Sequence, residues 1–108
     1  MKKASSPREV EDFEEIPNVG PRTAADFRRL GIKRASELRS RDPYAMYAAL
    51  CQSTGTTQDP CVIDVFISAT RFMRGEPARP WWAYTEERKA VLAKRAGKKR
   101  PAPAGKKR

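Results

Sequence analysis

The sequence predicts an all-α protein, a bundle of five or six short helices followed by a basic tail, and three observations lead there. Proline recurs after a capping or small residue, at Ser6-Pro7, Gly20-Pro21, Asp42-Pro43 and Asp59-Pro60, and the first helical position is the one that tolerates proline. Between these starts the apolar residues fall three and four apart, the spacing of one helical face. Every alternating run is either capped like a helix or too short to be a strand.

The 108 residues allow one small domain, and 39% hydrophobic residues allow a modest core. We divide the chain into a disordered N-terminus (1–5), a helical domain (6–93) and a disordered, low-complexity basic tail (94–108).

In the first helix Ser6 is the cap, Pro7 the first residue and Glu9 the closing member of a capping box. Val10, Phe13 and Ile16 or Pro17 share one face, and Glu9, Glu11, Asp12, Glu14 and Glu15 make the other acidic. Ile16-Pro17-Asn18-Val19-Gly20 then forms a tight turn. Pro21 opens the second helix, which buries Ala24, Phe27 and Leu30; Gly31 ends it in the left-handed conformation and Ile32 folds back on the core. A short third helix over Ala35–Ser40 points Leu38 inward, although Arg34 before it is a poor cap.

The fourth helix, 43 to about 53, buries Met46, Leu50 and one of Tyr44 and Tyr47, and stops near Gly55. The fifth, 60–74, is apolar on nearly every side. Its polar residues Asp64, Ser68 and Arg71 leave one narrow stripe, which marks it as the central helix. Residues 75–80 form a linker to Trp81, Trp82 and Tyr84. Such aromatics are expected to fold back and close a small core; stacking on unpaired bases or docking a partner are the other uses. Thr85 caps the last helix, whose first turn holds Glu86 and Glu87.

Charge is unevenly placed. Of a net +10, eight units lie in residues 94–108, which contain no acid, while residues 1–93 balance fifteen cations against thirteen acids. The absence of histidine excludes histidine-based acid-base catalysis and any histidine-containing metal site. Cys51 and Cys61 lack the spacing of a redox or metal motif and read as two small buried residues, with a reversible disulfide or a shared metal as the other reading. No cofactor and no catalytic constellation is expected. The N-terminal lysines have no apolar stretch behind them and the longest apolar run is too short to span a bilayer, so we expect a cytoplasmic protein, with association to the nucleoid open to it and no membrane contact.

The start of the second helix offers chemistry. Its first amides lack intrahelical partners, the helix dipole is positive there, and Arg22 and Thr23 add a charge and a hydroxyl, so an anion is the natural ligand. Helix, I-P-N-V-G turn and P-R-T-A start together resemble the helix-hairpin-helix motif. The resemblance implies that Val19 plugs the gap between the helices, that Gly20 lets the backbone approach a phosphate closely, and that DNA is held without reading its sequence. Asn18 stands where the motif usually has glycine; asparagine is the residue next most tolerant of a left-handed backbone.

The candidate DNA-binding residues are therefore Asn18, Val19, Gly20, Arg22, Thr23, Arg29 and Lys33, with Lys98, Lys99 and Arg100 of the tail adding salt-sensitive phosphate contacts. Between residues 20 and 41 seven cations face only Asp26 and Glu37. The acidic first helix would repel DNA, and it or the Trp81-Trp82 pair could instead receive a protein. The alternative reading is accordingly a protein-interaction module in which the hairpin only packs helices.

The runs LGI-x-x-x-x-EL, RDPYAMYAALCQSTG, QDPCVIDVFISATRF and RPWWAY extend the resemblance. From about Asp12 to Tyr84 the chain resembles the small bacterial helix-hairpin-helix proteins of the pathogenicity-locus and mitomycin-resistance type. The layout is also similar to the C-terminal domain of TfoX-type competence regulators and, more distantly, of the RNA polymerase alpha subunit. This implies a compact SAM-like fold and DNA binding, and it implies no particular reaction.

Overall fold

Each proline-led start in the sequence does begin a helical element, but the first of them is not an α-helix. The computed structural model describes the backbone of residues 2–99 and the side chains of residues 2–95, and every regular element among them is helical. In place of the expected first helix stand two 3-10 turns, Pro7–Glu9 and Phe13–Glu15, separated by extended backbone at Val10. The acidic side chains divide the segment. The Glu9 carboxylate accepts from the Ser5 N–H (2.8 Å), while that of Glu15 accepts from the Glu11 and Asp12 N–H groups (2.7 and 2.9 Å). The Glu11 and Asp12 donors, which a continuous helix would direct at carbonyls, are thus taken by a carboxylate. Ser6 makes no side-chain cap.

Helix α1 spans Pro21–Arg29 and buries Ala24 and Phe27. Its end follows the predicted pattern. Gly31 has φ +83°, its N–H donates to the Arg28 carbonyl, and the N–H of buried Ile32 donates to that of Phe27, both at 3.0 Å. The third element, Ala35–Ser40, is a 3-10 helix. Glu37 does what Arg34 cannot: its carboxylate accepts from the N–H groups of Lys33 and Arg34 (3.1 and 3.0 Å).

Helix α2, Pro43–Thr54, starts with the Asp42 carboxylate accepting from the Tyr44 N–H (2.9 Å) and ends at Gly55, φ +68°. Helix α3, Cys61–Met73, starts the same way, with Asp59 accepting from the Cys61 N–H (2.9 Å). A 3-10 turn, Trp81–Tyr84, leads into α4, Thr85–Lys99. This last helix continues past the boundary placed at residue 94. Lys98 and Lys99 fall on its final backbone turn, but their side chains, and Arg100 altogether, lie outside the described residues.

Helix α3 is the centre, burying nine of its residues, and it packs most closely against α2, the 35–40 turn and the Trp81–Tyr84 turn. Phe13, Phe27 and Phe66 stack in sequence through it, with ring centroids 5.2 and 5.6 Å apart. A second cluster of Ile63, Ile67 and Tyr84, backed by Tyr44, Tyr47 and Leu92, joins α4 to the core. The polar stripe on α3 is engaged by its neighbours. Fully buried Asp64 accepts from Arg88 Nε (2.9 Å), Arg88 Nη2 (3.3 Å) and the Thr85 hydroxyl (2.7 Å); Arg71 pairs with Glu87; Ser68 receives the Asn18 amide. The tryptophans do not close the core as expected. Trp82 is 63% exposed and Trp81 half-buried, and the closing side chain is Tyr84. Among the described residues no helix is long and apolar enough to cross a membrane.

Candidate nucleic-acid interface

The turn expected to meet DNA is built by Asn18 and Val19 and left open at Gly20. Asn18 is the residue in the left-handed region, φ +72°. Its side-chain amide donates to Ser68 Oγ (2.7 Å) and to the Arg79 carbonyl (2.6 Å), so it faces the protein. Val19 is fully buried, its N–H bonded to the Ile16 carbonyl (3.1 Å) and its carbonyl receiving Lys3 Nζ (2.6 Å). The plug that the motif implies is therefore present, but Val19 offers no side-chain surface. The first arm of the hairpin is the 3-10 turn Phe13–Glu15 in place of an α-helix.

Gly20 has an ordinary extended backbone (φ −103°, ψ −173°), and a Cβ placed on it would meet nothing within 4 Å. Neither backbone strain nor internal packing calls for glycine here. What the missing side chain leaves is an uncovered approach to the first amides of α1. The Ala24 N–H bonds to the Gly20 carbonyl (3.0 Å), whereas the N–H groups of Arg22 and Thr23 make no hydrogen bond among the described residues.

Arg22, Asp26 and Arg29 follow one another along one stripe of α1. Arg22 is exposed and donates to Gln58 Oε1 at 3.3 Å, and exposed Arg29 donates from Nε to Ser53 Oγ at 2.9 Å. Burial pushes the Asp26 carboxyl above its usual range, opposed by the charges of Arg22 and Arg29. Lys33 is elsewhere, in a small hollow shared with Glu11, Asp12 and Arg28. The structure thus brings Gly20, Arg22 and Thr23 together, sets Arg29 about two turns away, and turns Lys33 towards acids.

Beside Arg22 and Thr23 opens a cleft of about 240 Å³, walled by Val62, Val65 and Trp81 and edged by Asp26, Gln58 and Asp59. Sequence reasoning did not join Gln58, Asp59 or Trp81 to the start of α1, because more than thirty residues separate them in the chain. Cys61 also reaches this cleft. Both cysteines are free and half-buried, not fully buried as expected. A hydrogen bond with the Asp59 carboxylate, then burial, pushes the Cys61 thiol up, and Cys51 Sγ accepts from the Gln58 N–H (3.3 Å). Among the described residues no three histidine, cysteine or acidic side chains group as metal ligands.

Comparison with known proteins agrees on one relationship. The family model described as Pathogenicity locus (Cdd1) matches residues 6–90. The chain is 44% identical over 82 residues to the mitomycin resistance protein McrB of Streptomyces lavendulae, a stretch covering 76% of this chain and 78% of that protein. No solved structure matches it.

Proposed function

The chain belongs to the pathogenicity-locus family, and from that premise we propose that it is a non-enzymatic, sequence-independent DNA-binding protein that holds the phosphate backbone at the start of α1. A phosphate oxygen there receives the N–H groups of Arg22 and Thr23. The Thr23 hydroxyl and the Arg22 guanidinium flank it, and Arg29, about 10 Å along the helix, meets the next stretch of backbone. The supporting observation is the uncapped end itself: a nine-residue helix whose first donors have no partner among the described residues, beside a glycine that the fold does not require. The basic segment 94–108 adds salt-sensitive affinity.

A binding role fits the side chains better than catalysis. There is no histidine, and Cys61 is held in its thiol form, the poor nucleophile. The cytoplasm is the compartment such a protein would serve. One observation favours the second reading, a protein-docking module: Trp82, 63% exposed beside the linker, is a ready anchor for a partner.

Fluorescence anisotropy on labelled duplex DNA across a salt series separates the two. The double variant Gly20→Glu, Arg22→Glu should lose about tenfold or more in affinity with unchanged far-ultraviolet circular dichroism. Its salt slope should fall by about one unit per phosphate contact removed. Unchanged affinity would reject the hairpin as the site.

A further inference from the structure

The cleft beside the phosphate position has the chemistry of a receptor for a flat, amino-bearing ring. One wall is the Trp81 indole, with the apolar side chains Val62 and Val65 also lining the space. The indole is held in place from two directions. Trp82 packs against it edge-on, with ring centroids 5.6 Å apart at 84°, and the Asn18 amide grips the Arg79 carbonyl two residues upstream at 2.6 Å. The polar edge consists of acceptors with capacity left. The half-buried Asp26 carboxylate accepts no hydrogen bond among the described residues, and Asp59, engaged by the Cys61 N–H and thiol, keeps lone pairs to spare.

Away from Arg22 and Thr23 at its lip, the pocket suits no anion. Two carboxylates at the edge repel a phosphate, while a ring with N–H donors on its rim satisfies them and stacks its face on Trp81. Arg22 and Thr23 belong both to this cleft and to the open end of α1, so a ring bound inside and a phosphate bound at the lip would be neighbours. A volume of about 240 Å³ accommodates a single nucleobase.

We propose that the cleft between α1, the start of α3 and Trp81 binds one unpaired nucleobase carrying an exocyclic amino group, in preference to thymine, next to a backbone phosphate held at the start of α1. The inference rests on the phosphate reading for its neighbour but not for its chemistry. Cytosine and adenine present amino groups to Asp26 and Asp59. Thymine offers one ring N–H between carbonyls that would face the carboxylates. A base paired within a continuous duplex cannot enter, so the cleft favours single-stranded or locally opened DNA.

The test uses the full chain carrying Trp82→Phe, so that Trp81 is the sole reporter. Titrated at neutral pH with short oligo-dC and oligo-dT, Trp81 should be quenched by oligo-dC with several-fold tighter binding than oligo-dT. Asp26→Asn should erode that preference. Val65→Phe, which fills the cleft, should weaken oligo-dC binding about tenfold while duplex binding, read by anisotropy, is retained. The nucleoside deoxycytidine, which has no phosphate, should quench Trp81 at higher concentration. Binding of oligo-dC without quenching, equal affinity for the two oligomers, or indifference to Val65→Phe would each overturn the base pocket. Loss of duplex binding with deoxycytidine still quenching Trp81 would reject the phosphate clamp and keep the pocket.

Discussion

Helices α1, α2 and α3 are each announced by an X-Pro pair, and they differ in X. Asp42 and Asp59 fold their carboxylates over the first free amide, on Tyr44 and on Cys61, at 2.9 Å each. Gly20 has nothing to fold over, and the amides of Arg22 and Thr23 stay open. The same device is therefore closed twice and left open once. The closed ends hold the helices in the bundle, whereas the open one keeps donors available for an anion. The contrast widens on the side of α3 facing α4, where Asp64, Thr85 and Arg88 satisfy one another and Arg71 answers Glu87.

The closed side breaks hardest at Asp64. Asp64→Ala leaves the 92%-buried Arg88 without its partner and should cost about 3–5 kcal/mol, read as a large fall in the urea midpoint. DNA affinity of the molecules that remain folded should be unchanged.

The sharpest experiment makes the open end resemble the closed ones. Gly20→Asp places a cap where a Cβ has room, so its carboxylate should accept from the Arg22 N–H as Asp42 does from Tyr44. Thermal stability should hold or rise by a few tenths of a kcal/mol, while duplex affinity falls about tenfold or more. A variant that is both more stable and less able to bind would separate the two purposes of a helix start. The converse, Asp42→Ala, should lose about 1 kcal/mol of stability with duplex affinity intact.

The smallest effect is one of pH. The Glu15 carboxyl is held below its ordinary range by the N–H groups of Asp12 and Glu11. Its folded value lies below the unfolded one, so its contribution is present at neutral pH and is lost as pH falls through the folded value. Amide chemical shifts of Glu11 and Asp12 should titrate together at that point, with those of α2 unmoved.

Much of the fold was legible because its punctuation is local. Gly31 and Gly55 end helices where the sequence says they should, and the Asp-Pro pairs start them. Capping residues and apolar spacing favour a first helix there, but among its five acids Glu15 takes the amides of Glu11 and Asp12, and competition between side chain and backbone is not visible in periodicity. Hydrophobicity places Trp81 and Trp82 in the core, and it does not reveal that Tyr84 already fills the place. At the candidate site, Gly20, Arg22 and Thr23 could be read from one short motif. The cleft could not be, since it exists only where residues 22, 59 and 81 meet in space.

Asn18 decides how portable this hairpin is. A glycine at that position would supply the same left-handed backbone and bind nothing, so the motif would be a self-contained cassette. Here the amide ties the turn to Ser68 on the central helix and to Arg79 in the linker. Residues 13–29 grafted onto another scaffold would carry an amide with both acceptors left behind. The hairpin, the central helix and the linker before the tryptophans are therefore tied through one side chain, and an insertion in the linker should be felt at the turn sixty residues away.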